Sequence, residues 1–266
     1  MSFYDQMIDL QNATPGNIAT LKLSYNATYD KLHFLLGGGL TKAHLGRIEG
    51  KANGVTFFED QMQHLAKRDA YQGIFTRADI VTVDFTEPNT RGGAAAQYLS
   101  ALPRNLLNSL TFEIEVLPTA PVAMTMKCEG EYRDPTPNPF ILRRKKFAIP
   151  LGVNGENDYA LPSDKNGGLI KRIWIHDDAN IVTGAELRTN GTPRIRASVD
   201  SLEYSYMRDR VVPQDGILTI DFISDGNLMN ALNTQPIKET LLRLKTNGTG
   251  QAIVYLDYID HLARLS

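Results

Sequence analysis

The chain has 266 residues, enough for two domains that each bury a core of their own. With 42% apolar and 22% charged residues it reads as neither a disordered nor a membrane chain, and a net charge of −2 gives no electrostatic case for coating nucleic acid. The single cysteine, Cys128, excludes an intrachain disulfide; no apolar run approaches the ~18 residues of a membrane-spanning helix, and Met1-Ser2-Phe3-Tyr4-Asp5 shows no secretory signal.

Residues 1–16 read as an N-terminal arm, with a short helix predicted over 3–12 from Phe3, Met7, Ile8 and Leu10. Strands are predicted at 18–24 and 29–36. Gly37-Gly38-Gly39 followed by Thr41-Lys42 is not a phosphate loop, because the Gly-Lys-Ser/Thr end is missing and hairpins follow; a surface connection is the reading. Residues 45–51 and 55–58 form a hairpin around Asn53-Gly54, whose two central residues both need φ > 0. Met62, Leu65 and Ala66 predict an amphipathic helix over 59–70. Strands at 71–76 and 80–85, a helix-rich stretch at 92–107 interrupted by Pro103, and strands at 110–116 and 122–132 complete a first module, residues 17–133. Asp134-Pro135-Thr136-Pro137-Asn138-Pro139 then forms a stiff linker, residues 134–140.

The second module, residues 141–262, repeats the series before a short tail at 263–266. Its strands are predicted at 141–151, 169–176, 184–190, 192–197, 208–212, 217–222, 238–246 and 251–259, with helices at 198–207 and 227–232. The repetition is visible in the residues. Asp-Ile-Val-Thr-Val-Asp-Phe (79–85) is echoed by Gly-Ile-Leu-Thr-Ile-Asp-Phe (216–222) at an offset of 137 (220 − 83). Asn53-Gly54 is echoed by Asn190-Gly191 at the same offset, and residues 31–35 by 172–176. Arg68-Asp69 is matched to Arg208-Asp209, and Pro103 to Pro236. Val81, Val83 and Phe85, like Leu218, Ile220 and Phe222, occupy one face of a period-two pattern, the core side of a half-buried strand. Short strands without a βαβ rhythm, with helices at fixed points, define an all-β fold class: two tandem eight-stranded antiparallel jelly rolls with short helical insertions.

Little chemistry is recognisable. His33, His44, His64, His176 and His261 contain no His-x-His pair, and Cys128 has no nearby histidine, so no catalytic residue, cofactor or committed metal site is assigned. Asp177, Asp178 and Asn180 offer loop oxygens for a divalent cation such as calcium; a solvated turn is the plainer reading. Asn12, Asn26, Asn190 and Asn247 head Asn-x-Thr triplets read as turn chemistry. The one dense basic run is Arg143-Arg144-Lys145-Lys146. On a strand it splits two and two between the faces, which suits a salt-bridge strand, with contact to lipid headgroups or an acidic partner as the functional alternative.

Paired modules, paired helical insertions, a Pro-rich link and no catalytic set resemble the double jelly-roll major capsid proteins of tailless, membrane-containing phages of the corticovirus and tectivirus type and of the adenovirus hexon lineage. The Arg143-Arg144-Lys145-Lys146-Phe147 entry into the second module looks most like the corticovirus end of that range. The resemblance implies a structural protein rather than an enzyme: a homotrimer forming a pseudo-hexagonal capsomer in a virion shell, assembled in host cytoplasm. Its implied partners are further copies of itself, minor capsid or vertex and spike proteins and an internal membrane surface, without sequence-specific nucleic-acid binding. Two other classes stay open: a two-jelly-roll glycan hydrolase or amidase, and a glycan-binding lectin using Trp174 as a platform. In the capsid proteins the outward towers grow from the connections between strands D and E and between F and G. Taking Asn53-Gly54 and Asn190-Gly191 as the D–E connections predicts a nearly smooth capsomer top, helices toward the base, and receptor binding left to another protein.

Overall fold

The computed structural model describes residues 2–162 and 168–265. The chain divides into two compact units. The first comprises Met1–Ala70, Ile74–Lys145 and Ile259–Ser266, and the second Tyr71–Gly73 and Lys146–Tyr258.

In chain order the first half contains β1 (Ser2–Gln6), β2 (Ile18–Lys22), β3 (Thr28–Gly37), β4 (Leu45–Ala52), β5 (Val55–Gln61), α1 (Met62–Tyr71), β6 (Ile80–Asp84), α2 (Gly93–Gln97), β7 (Leu102–Pro103), β8 (Leu110–Val116) and β9 (Thr125–Arg133). Two antiparallel sheets result, in the orders β1-β9-β3-β6 and β2-β8-β4-β5. These are the B-I-D-G and C-H-E-F sheets of a jelly roll, with β7 a two-residue addition to β3. Between them lie Leu32, Phe34, Val81 and Val83 from one sheet and Leu21, Ile48, Phe57 and Phe112 from the other. Phe57 meets Phe112 edge-on at 6.1 Å. Gly50 permits this packing, since a Cβ there would stand 2.8 Å from the Phe112 ring.

The second half contains β10 (Phe140–Leu151), β11 (Gly155–Leu161), β12 (Leu169–His176), β13 (Val182–Thr189), β14 (Thr192–Ser198), α3 (Val199–Met207), β15 (Ile217–Asp221), β16 (Leu232–Asn233), β17 (Thr240–Thr246) and β18 (Gly250–His261). Its sheets, β15-β12-β18-β10 and β11-β17-β13-β14, have the same B-I-D-G and C-H-E-F order. Ile173, Ile175, Leu218 and Ile220 face Leu187, Leu242 and Leu244 across its core.

The duplication holds at the level of hydrogen bonds. Asn53 and Asn190 both take left-handed backbone, φ 51° and 49°. The Asn53 side-chain oxygen accepts from the amides of Asn108 and Ser109, and that of Asn190 from Lys238 and Glu239. His33 pairs with Thr82 where Trp174 pairs with Thr219, so residues 31–35 and 172–176 are equivalent as read from the sequence.

Several sequence expectations are corrected. Residues 2–6 form a strand rather than part of a helix: five register pairs to β9 satisfy a backbone too short to hold helical turns alone. Residues 71–76 and 208–212 are a helix end, turns and irregular chain, not strands. Ile74 N–H reaches the Asp69 carbonyl over Gly73 (φ 72°), and Val211 N–H reaches Tyr206 over Arg210 (φ 70°). These turns set the offset here at 137 (211 − 74), so the counterpart of Arg208 is Tyr71, not Arg68. Pro103 corresponds to Asn233 rather than Pro236, since both pair with the start of strand D. The stretch predicted helix-rich keeps only α2 and a 3-10 turn at Arg104–Leu106. Strand β11 carried no period-two signal.

Because β1 is strand B, the Asn-Gly hairpins join E to F, not D to E. The D–E connections are residues 38–44 and 177–181, and α1 and α3 lie in the F–G connections. The premise of a smooth top with helices at the base therefore fails: the F–G helices sit at the D–E end of each jelly roll.

Candidate assembly surfaces

The basic run is spent largely inside the protein. Arg144 is buried over the Phe58 ring, 4.9 Å from its centre, and donates to Asp60, a fully buried carboxylate that also takes two hydrogen bonds from Arg68. Arg143 donates to Asp260 at 2.7 Å, and Arg264 holds the other oxygen of the same carboxylate at 2.7 Å. Lys145 and Lys146 are half-buried. The salt-bridge reading of this strand accounts for both arginines, because a buried carboxylate without cations would carry a large desolvation cost.

Asp177, Asp178 and Asn180 form a turn. Asn180 takes φ 52°, its side-chain oxygen accepts from Gly216 N–H at 3.0 Å, and its amide donates to Asp215. The Asp177 carboxylate accepts from Val182 N–H at 2.6 Å. Among the described residues no three His, Cys, Asp or Glu side chains converge as a metal site. Trp174 is fully buried, its ring N–H donating to Asp257 at 2.8 Å, so it is not an exposed glycan platform.

The outer faces of the two B-I-D-G sheets are the surfaces of most interest. In the second unit this face carries Arg172, Trp174, Thr219 and Asp221. Arg172 donates to Asp221 at 2.9 Å, and Tyr71 packs edge-on against Trp174, ring centres 5.0 Å apart. Burial drives the Tyr71 hydroxyl well above its ordinary range. Strand β15 is buried along its whole length.

In the first unit the matching positions Lys31, His33, Thr82 and Asp84 are half-exposed. His33 bonds Thr82 at 2.9 Å and Glu131 at 3.2 Å, and Lys31 reaches Glu131 at 3.1 Å. Beside them opens a cavity of about 210 Å³ lined by His33, Lys42, Asp69, Phe75, Ile80 and Thr82. Burial, and secondarily the nearby Asp84, pushes the Asp69 carboxyl up to about 7; burial also pushes Asp84 up to about 6. Sequence reasoning gave Asp69 no chemical role, because its setting depends on where α1 packs.

Two jelly rolls of the same strand order in tandem define a double jelly-roll protein. Comparison with known proteins agrees. Residues 4–133 match the viral coat protein P2 N-terminal domain and residues 141–262 the viral coat protein P2 C-terminal domain; the chain belongs to this viral coat protein family, and its place is the capsid of a virion. The fold is similar to that of the major capsid protein P2 from bacteriophage PM2 (TM-score 0.90, 19% identity, 98% of each chain covered). It is also similar to a chain in the atomic structure of Sulfolobus turreted icosahedral virus (TM-score 0.72, 13% identity, 97% of this chain and 90% of that one). The Faustovirus major capsid protein is a further match (TM-score 0.66, 8% identity, 98% of this chain and 90% of that one). No curated protein sequence matches the chain.

Proposed function

We propose that this coat protein works as a homotrimer, three chains closing into a six-cornered capsomer that tiles an icosahedral shell. The observation carrying this reading is the duplication itself. Two jelly rolls of identical strand order in one chain give six similar bodies around a three-fold axis, and six similar bodies tile a surface as hexagons. A six-cornered tile does not fit a five-fold vertex, so a different coat protein occupies that position and is the natural carrier of host attachment.

Light scattering on the size-exclusion peak tests the reading, with a mass of three chains expected. A protein that stays monomeric at concentrations up to those used for assembly, and yields no hexagonal particles by electron microscopy, overturns it.

A further inference from the structure

The two repeats differ in a way their duplication makes informative. On the second unit's sheet face, Tyr71 fills the space beside Trp174, Ile217 and Tyr255. In the first unit the equivalent residues are His33 for Trp174 and Ile80 for Ile217, and beside them lies the cavity of about 210 Å³. Two of its lining residues, His33 and Ile80, are thus the equivalents of Trp174 and Ile217 beside Tyr71.

The residue that would fill it is set by the helix ends. Both F–G helices close with the same six-residue hydrogen bond, Ile74 to Asp69 and Val211 to Tyr206, over a left-handed residue at Gly73 and Arg210. Stepping back three residues from Ile74 and Val211 makes Arg208 the counterpart of Tyr71. Arg208 and Arg210 are exposed.

We propose that Arg208 of one copy enters the His33–Ile80–Thr82 cavity of the next copy and pairs with Asp69. The inference rests on the trimeric-capsomer reading above and names the contact that builds it. Charge supports it. The cavity wall carries Asp69 together with Lys42 and Arg77, with Asp84 and Glu131 nearby; Arg77 is held by Asp79, Lys31 and His33 are already taken by Glu131, and no hydrogen bond or ion pair reaches the Asp69 carboxylate among the described residues. The incoming turn brings Arg208 and Arg210 with a single acid, Asp209, which is already held by Ser224. A guanidinium is the group best suited to a part-buried carboxylate. Joining a face of the first repeat to a turn of the second makes the contact heterologous, and closure after three copies leaves no cavity unfilled.

The test uses the full chain in a Cys128→Ser background. A His33→Cys, Arg208→Cys double variant treated with a short bis-maleimide should give covalent dimers and trimers on a denaturing gel, and neither single variant should. Arg208→Glu should raise the dissociation constant of the trimer at least tenfold by sedimentation, with the monomer's melting temperature unchanged, while Arg208→Lys should lose less. A chain that trimerises, gives no cross-linked ladder as the double variant and tolerates Arg208→Glu overturns this contact and leaves the capsomer reading standing. A wild-type chain that never trimerises defeats both.

Discussion

Asp69→Asn should make the first jelly roll more stable at pH 8 and leave it unchanged near pH 4. Burial and Asp84 hold the Asp69 carboxyl at about 7 in the folded chain against an ordinary 3.8. The folded state therefore binds this proton more tightly than the unfolded state, and the group opposes folding increasingly as pH rises from about 4 through about 7. At ~1.4 kcal/mol per pH unit of displacement, a rise from 3.8 to about 7 corresponds to roughly 4 kcal/mol at full ionisation. Solvent screening at the residual exposure reduces this, so a gain of roughly 2–4 kcal/mol is expected for asparagine at pH 8. Urea denaturation at pH 4, 6 and 8, at protein concentrations below assembly, measures it. A gain equal at all three values would locate the effect in packing. No gain at pH 8 would mean that Lys42, Arg68 and Arg144 already neutralise the carboxylate, and the electrostatic reasoning would be refuted.

Asn190→Ala should cost about 2 kcal/mol, since it removes a left-handed residue whose side chain accepts from two strand amides, and Asn190→Asp should cost much less; thermal melting separates the two. Arg144→Met should destabilise by about 1–3 kcal/mol because Asp60 loses one of its two arginines and keeps Arg68 and the Gln61 amide, and it should leave binding to anionic vesicles unaltered; a variant of native stability that no longer binds vesicles would restore the lipid role to this arginine.

Much of the fold was legible because its signals are local. The alternation at residues 110–116, the matched core positions Val83 and Ile220, and the left-handed Asn-Gly turns follow from side-chain period and φ alone, and they were enough to expose the duplication and the jelly-roll class. Two edge strands, β1 and β11, were not legible. β1 and β11 are held by main-chain pairing to β9 and β17, which asks nothing of their side chains, and missing them shifted the letters of the strands that follow, up to the expected strands at 71–76 and 208–212, and misplaced the F–G helices.

The sequence by itself determined two repeats, their inward faces and the absence of any motif for catalysis, since each rests on residues near one another in the chain. Only the tertiary structure decided what became of the charges. Arg143 meets Asp260 across 117 residues and Arg144 meets Asp60 across 84. Trp174 is buried under Tyr71, and Asp69 is set beside a cavity that this chain leaves open. Burial and ion pairing depend on what packs against a side chain, and in a jelly roll those neighbours come from strands far apart in sequence.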